Sequence, residues 1–579
     1  MLKRIRKWLA VIMGIFMVME IMPVRAQYDV VFAKSLGDGT KAVFYRDTEL
    51  IVEGEPVLSS IYCEGYLKIS GSGKLTVKCR SGDAITAESV ECSADLLIEG
   101  NKKGTGIASS YGVKFETSIA AIENVGRGIA MDNGRFENIA GVLNVDSYGD
   151  GIITNRGDIM INGLTGIDCD GSCLTTMDGG IFVNNDLYAE AHGGDPALYS
   201  KDGDISFEGG SSHITADGVC IKTGGNIFFE ADVEAESAWH YAVYHCPSDT
   251  RPFVKLTAGK VRLTGDEIAL RTLTDFYQEG GELTCVGGIA ANADIILTGG
   301  TTRITSNGFN CIYCDTGAFQ CLNKTTISND SDNIAAVYTK SFITGTTADL
   351  IITSDETAVN TIKSGIKGKV FVSTKKGIAF QSNTFEMDGG NVTIIGDTYS
   401  IYAGSIDMKK GTLTTQNPMF AWNHDILLYG DVTAVSQDGN AITARENVII
   451  DGRLNCVAGD DHAISADVVF FNTNANAELK ANAEAVYARS FVGVHGNVIA
   501  TSRDAEAIYA EGEIIAEHGS LRAIGKESAL YAGTKVILTH SMHVMEPENG
   551  YANGHTVYAP HHQNAPDVLI DRSWCKVIL

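Results

Sequence analysis

The sequence predicts an all-β chain, a right-handed parallel β-helix of about 22 coils of roughly 22 residues each. Three observations predict it. Between 441 and 532 the chain repeats itself with a period of 22 residues: AITARENVIIDGRLNCVAGDDH, AISADVVFFNTNANAELKANAE, AVYARSFVGVHGNVIATSRDAE, AIYAEGEIIAEHGSLRAIGKES, then ALYAG. A fixed period of this length belongs to solenoids, whose units bury their apolar faces only against their neighbours. Each unit opens with an apolar residue two before a small one, as in Ile464 and Ala466 or Ile508 and Ala510, which is strand alternation. The segments between are short and rich in Gly, Asn, Asp and Glu, leaving no room for a helix.

Within a unit the anchors Ile442, Ile464, Val486, Ile508 and Leu530 are followed by a second inward row, read as Val448, Phe470, Val492, Ile514 and Val536. A third, looser row is read as Leu454, Leu479, Ile499 and Leu521. Three short strands per coil follow from the three rows.

In chain order, residues 1–26 read as a secretory signal peptide. Lys3, Arg4, Arg6 and Lys7 precede the apolar run from Trp8 to Val18, and Val24-Arg25-Ala26 offers small residues for cleavage. The protein is therefore expected to be secreted, with no transmembrane span in the mature chain, and to be monomeric. Residues 27–80 read as an N-terminal cap with the first coils, because the first coil of a solenoid must cover its core. The helix proper is assigned to 81–560. Its anchors are Ile85, Ile107, Ile129, Ile152, Leu174, Leu198, Ile221 and Val243, then, after a longer gap holding Cys246, Pro247 and Pro252, Leu270, Ile289, Ile312, Val337, Val359, Ile378, Ile401 and Phe420. After the regular block the pattern ends among His540, His543, His555, His561 and His562, and 561–579 reads as a C-terminal tail.

The chain carries 45 basic and 71 acidic residues. Taking away the five basic residues and one acidic residue of 1–26 leaves 40 against 70, a net charge of −30. That balance argues against a nucleic-acid partner, which needs a basic surface. The 13 cysteines are an odd number, and Cys173, Cys220 and Cys311 fall just before an anchor, where Ala or Gly stands elsewhere. They read as small buried residues. Cys311, Cys314 and Cys321 have a metal-like spacing, but a closed zinc site needs four ligands and no fourth is in evidence.

Equivalent positions of successive coils stack into ladders, and two outward ladders stand out. Tyrosine recurs just after the anchor at Tyr199, Tyr244, Tyr313, Tyr338, Tyr402, Tyr487, Tyr509, Tyr531 and Tyr558. An aromatic row suits stacking by a sugar polymer, which makes Tyr199, Tyr244, Tyr313 and Tyr338 the candidate carbohydrate-binding residues. Cross-strand packing that stabilises the sheet face is the alternative. The second ladder is acidic and lies in the turn before the anchor, with Asp146 and Asp150, Asp168 and Asp170, Asp195, and Asp217. Stacked carboxylates repel unless a cation sits among them, so Asp150, Asp170, Asp195 and Asp217 are the candidate calcium ligands. Aspartate also favours tight turns for local reasons, which is the alternative there.

The segments YGDGIITNRGDIMING and ALYSKDGDISFEGGSSHITADGVCI resemble the bacterial secreted carbohydrate-binding β-helix family that is related in fold to pectate lyases. The resemblance covers Tyr66 to Ile227 best. It implies a right-handed β-helix that holds calcium through aspartates near such motifs and attaches to plant cell-wall polymers. The C-terminal half keeps the period but replaces Gly-Asp-Gly with Ala and Glu. Isolated basic residues, Lys222, Arg271 and Arg127, make no constellation of the kind a lyase or hydrolase needs, so no catalytic residue is assigned. The expectation is a secreted, calcium-dependent polysaccharide-binding protein. A polysaccharide lyase or hydrolase of the same fold and a passive cell-surface or adhesin rod are the alternatives.

Overall fold

The computed structural model describes residues 28–116, 118–247, 252–539, 542–547, 557–558 and 568–570. The leader expected over 1–26 lies outside these residues, as do His540, His555, His561 and His562 and most of the tail. The chain is an all-β parallel β-solenoid of about 23 turns. Its described residues contain a single short helical turn, Ala33–Ser35.

The regular block shows how one coil is made. Ile442–Ala444, Asn447–Ile450 and Arg453–Ala458 are three strands with alternating burial, separated by turns of a few residues. Each strand pairs in parallel with its equivalent one coil on, so three parallel sheets enclose the core. In the anchor sheet Ile442, Ile464, Val486, Ile508 and Leu530 stand in register, all fully buried. In the second sheet Val448, Val469, Val492, Ile514 and Val536 do the same. Burial of each such aliphatic side chain contributes about 1.5–3 kcal/mol, and the stack repeats that gain at every coil.

The coils form two compact units, 1–189 and 190–579. In the first, the anchor ladder starts within the segment read as a cap: Ala42 pairs with Ile61 and Ile61 with Ile85. It continues through Ile107, Ile129 and Ile152 to Leu174. In the second it runs from Leu198 through Ile221, Val243, Leu270, Ile289, Ile312 and Val337 to Val359. Residues 248–251 of the longer stretch between Val243 and Leu270 lie outside the described residues.

Four inward assignments are corrected. Val359 pairs with Phe380, not Ile378; Ile378 is half-buried and pairs with Tyr399, one residue beyond Gly377, whose φ is +77°. Ile401 pairs with Met419, so Phe420 points outward. Phe470 and Ile499 also point outward, and the buried places belong to Val469 and Phe471 and to Val498 and Ala500. In each case neighbouring apolar residues competed for one inward place.

The turns carry a repeated device. A carboxylate at or just before the start of a strand accepts a backbone N–H at the start of the equivalent strand, or one residue ahead of it, one coil later, continuing the ladder into the turn. In the first unit Asp47 accepts from Tyr66 at 2.9 Å, Asp83 from Thr105 at 2.8 Å and Asp158 from Gly180 at 2.9 Å. In the second Asp204 accepts from Asn226 at 2.8 Å, Asp232 from Lys260 at 2.8 Å and Asp425 from Asn447 at 3.1 Å. A buried backbone N–H without such a partner would cost free energy. Glycine is required where coils touch most closely: at Gly134, φ is +88° and a Cβ would lie 1.2 Å from the Tyr111 carbonyl oxygen.

The cysteines are packing residues. Eleven of the twelve described are buried, and all twelve are free thiols. Burial pushes the thiols of Cys220 and Cys311 up to about 12, so they stay protonated and unreactive. Cys314 bonds to the Thr339 hydroxyl at 3.1 Å, and no cysteine enters a three-ligand cluster among the described residues.

Candidate functional site

The aspartates proposed as metal ligands occupy turns. In the first unit Asp150 is already engaged: its carboxylate accepts the Ser172 N–H at 3.2 Å and lies 4.0 Å from the Arg127 guanidinium. Asp170 is exposed nearby, and Asp146 stands directly beside Asp168 in register. In the second unit Asp195 and Asp217 are exposed. None of Asp150, Asp170, Asp195 and Asp217 belongs to a cluster of three ligand atoms among the described residues. The turn chemistry accounts for Asp150 without a metal.

The tyrosines occupy one continuous register of the second unit. Tyr199 pairs with Lys222, Lys222 with Tyr244, and Tyr244 with Arg271. The column goes on through Ala290, Tyr313, Tyr338, Asn360, Gln381, Tyr402 and Phe420. Thr443 and Ser465 interrupt it before Tyr487, Tyr509, Tyr531 and Tyr558. As far as Tyr531 the outward direction holds because each tyrosine follows a buried anchor in a strand of period two.

Strand spacing makes these rings stack. Tyr313 and Tyr338 are 5.5 Å apart with planes 12° from parallel. Tyr487 lies 5.3 Å from Tyr509, and Tyr509 lies 4.7 Å from Tyr531, each pair within 4° of parallel. The His462 imidazole adds a further stacked ring at 5.0 Å from Tyr487. Where Lys222 takes a rung, its ammonium sits 5.5 Å from the Tyr199 ring and 5.8 Å from the Tyr244 ring, within cation–π range of both. A ring stacked on both faces presents only its edge and hydroxyl to solvent. The Tyr487 hydroxyl donates to Glu511 at 2.8 Å, and this bond pushes the phenol up to about 12.

The column of rings is not continuous. Between Tyr338 and Tyr402 two rungs carry amides, Asn360 and Gln381, instead of rings. Tyr338 is stacked on Tyr313 and Tyr402 on Phe420, at 5.5 Å in each case, and Tyr399 also lies against Tyr402, at 5.4 Å and tilted by 55°. A groove of about 310 Å³ opens here, lined by Asn360, Thr361, Gln381, Ser382, Asn383, Tyr402 and Trp422. Trp422 is 38% exposed, and its indole lies over Gly404, where a Cβ would come within 3.4 Å of the ring. Sequence reasoning missed Trp422, Gln381 and Asn360 because it followed tyrosine alone and placed Phe420 inward. The signal was the interruption of the tyrosine column by two amide residues with a tryptophan shortly after.

The basic residues Lys222 and Arg271 stand two rungs apart on this column, with Tyr244 between them. Among the described residues no helix is long and apolar enough to cross a membrane. Compared with family models, with curated proteins and with solved structures, the chain finds no match in any of the three.

Proposed function

We propose that this protein binds an extracellular polysaccharide along the outward column of the second unit. The observation that carries the reading is the column itself: aromatic rings, amides and single cations repeat at one strand spacing, about 4.8 Å, on one face. A long polymer with a regular repeat matches a surface with a regular repeat, and weak contacts add along it. Sugars offer apolar ring faces and hydroxyls, and this column offers aromatic rings, hydroxyls and amides in return.

The resemblance of the first coils to secreted carbohydrate-binding β-helix proteins supports the same reading, as does the apolar leader expected over 1–26. Calcium enters it at the acidic turns and at the strand ends that lead into them. Adjacent carboxylates such as Asp146 and Asp168 gain from a shared hard cation, which would also let an acidic protein hold an acidic polymer.

The test is co-sedimentation with a panel of insoluble neutral and acidic polysaccharides, with calcium and with a chelator. Retention on at least one is expected, with the chelator weakening retention on the acidic members. Binding to none overturns the reading in favour of a passive surface protein. Appearance of ultraviolet-absorbing unsaturated product, abolished by the chelator, would move it to the lyases.

A further inference from the structure

We infer that the break in the aromatic column between Tyr338 and Tyr402 is a subsite for an uncharged glycan, with Trp422 and Tyr402 as its stacking surfaces and Asn360, Gln381 and Asn383 as its hydrogen-bonding groups. The inference rests on the polysaccharide-binding reading and narrows it to a place and a ligand class.

Four features of the groove point to that ligand. Its lining is uncharged throughout, on a chain whose formal net charge is −26. An acidic polymer would meet no cation there. The polar groups are carboxamides and hydroxyls, and each carboxamide presents donors beside an acceptor, the pattern that matches neighbouring hydroxyls of a sugar ring. Of the aromatic groups, Trp422 keeps 38% of its surface exposed, and Tyr402, packed against Phe420 and Tyr399, lines the groove half-buried. Finally, the rungs from Tyr338 to Tyr402 span three strand spacings, about 14 Å, a length suited to a short run of sugar units.

An extended peptide is the other occupant an aromatic groove can take. The strands beneath are paired on both sides: Val359–Gly365 with its neighbours through Val337 and Phe380, and the next with Ile401. No free strand edge remains there for a peptide to extend. The lining also lacks the aliphatic pockets that select peptide side chains.

Gly404 lets the coils approach beside the groove. A Cβ there would lie 3.4 Å from the indole, in ordinary contact, but 2.5 Å from the Asn383 carbonyl oxygen, so a larger residue would displace the Asn383 backbone at the wall of the groove. The Trp422 N–H bonds to the Ala403 carbonyl at 2.9 Å and fixes the backbone of the tryptophan itself.

Calorimetric titration of the full chain with neutral oligosaccharides of glucose, xylose and mannose, and with oligogalacturonate, tests the assignment. Trp422→Ala and Gln381→Ala are compared with the parent protein, and circular dichroism melting checks that each variant folds. The expected result is binding of at least one neutral oligosaccharide, weakened tenfold or more by Trp422→Ala and severalfold by Gln381→Ala at unchanged melting temperature. Neutral binding that both variants retain overturns the subsite and leaves the general reading standing. Binding of oligogalacturonate alone does the same. Binding of no saccharide overturns both, and binding of a proline-rich peptide in place of saccharides would assign the groove to a protein partner.

Discussion

Replacing Ile508 with Asp is expected to unfold the coils around it, lowering stability by about 4 kcal/mol or more. Ile508 is fully buried and sits in register between Val486 and Leu530. An unpaired carboxylate there would have neither water nor a hydrogen-bond donor, and it displaces a side chain worth about 1.5–3 kcal/mol of burial. Because each coil contacts only its neighbours, the loss should spread to adjacent coils before it reaches distant ones. Hydrogen exchange read coil by coil would record that gradient. Tyr509→Ala is the control one residue away. It loses two stacked ring contacts, each worth about 0.5–1.5 kcal/mol, and should cost far less. If Tyr509→Ala proved as damaging as Ile508→Asp, the inward and outward faces would be reversed.

The second large effect concerns acid. Inside the second unit a polar column runs through the core: Ser200, Thr223, His245 and Thr272 stand in register, each fully buried. The hydroxyls of Ser200 and Thr223 donate to the Gly203 carbonyl, at 2.9 and 2.6 Å. His245 bonds through Nδ1 to the Thr272 hydroxyl at 2.7 Å, while its Nε2 has no hydrogen-bond partner among the described residues. Burial holds the imidazole down to about 4, from an ordinary value of 6.5.

A lowered histidine means that the unfolded chain binds the proton more readily than the folded one. Stability is therefore complete above about 6.5 and is lost as pH falls toward 4, by up to about 3 kcal/mol for this one group. His462 works in the opposite sense. Though burial alone would lower it, the Glu484 carboxylate 2.9 Å away raises it, so its contribution is present in acid and fades as pH rises through that raised value. His245→Thr, which continues the hydroxyl column, should flatten the acid limb. Denaturant unfolding between pH 7 and pH 4 is the measurement, and an acid limb equally steep in the variant would show that carboxylates elsewhere cause it.

How much was legible in the sequence follows from what a period can encode. A 22-residue repeat with an apolar-x-small signature fixes where a coil begins, and the anchors of the regular block needed nothing more. Where two or three apolar residues adjoin, as in Pro418-Met419-Phe420 or Val468-Val469-Phe470-Phe471, hydrophobicity cannot choose the inward one. The neighbouring coils choose it, by register. That is why Phe420 was assigned to the core while it stacks outside on Tyr402, and why the groove beside Trp422 was not seen. The cysteines before the anchors were readable because the position tolerates only small residues. The aspartate ladder was readable as a pattern, but a turn acceptor and a cation ligand look the same in sequence; only the Ser172 N–H 3.2 Å from Asp150 reveals the first role.

The turn carboxylates described above also give the chain a direction. In every case the acceptor belongs to the earlier coil and the donor to the later one. A coil that has closed thus already holds out both its strand carbonyls and its carboxylate to whatever is made next, roughly one period further along. Contacts of such short sequence separation form quickly. A chain emerging from a ribosome, amino end first, meets a finished template at each step, and growth can proceed vectorially without waiting for the carboxyl end.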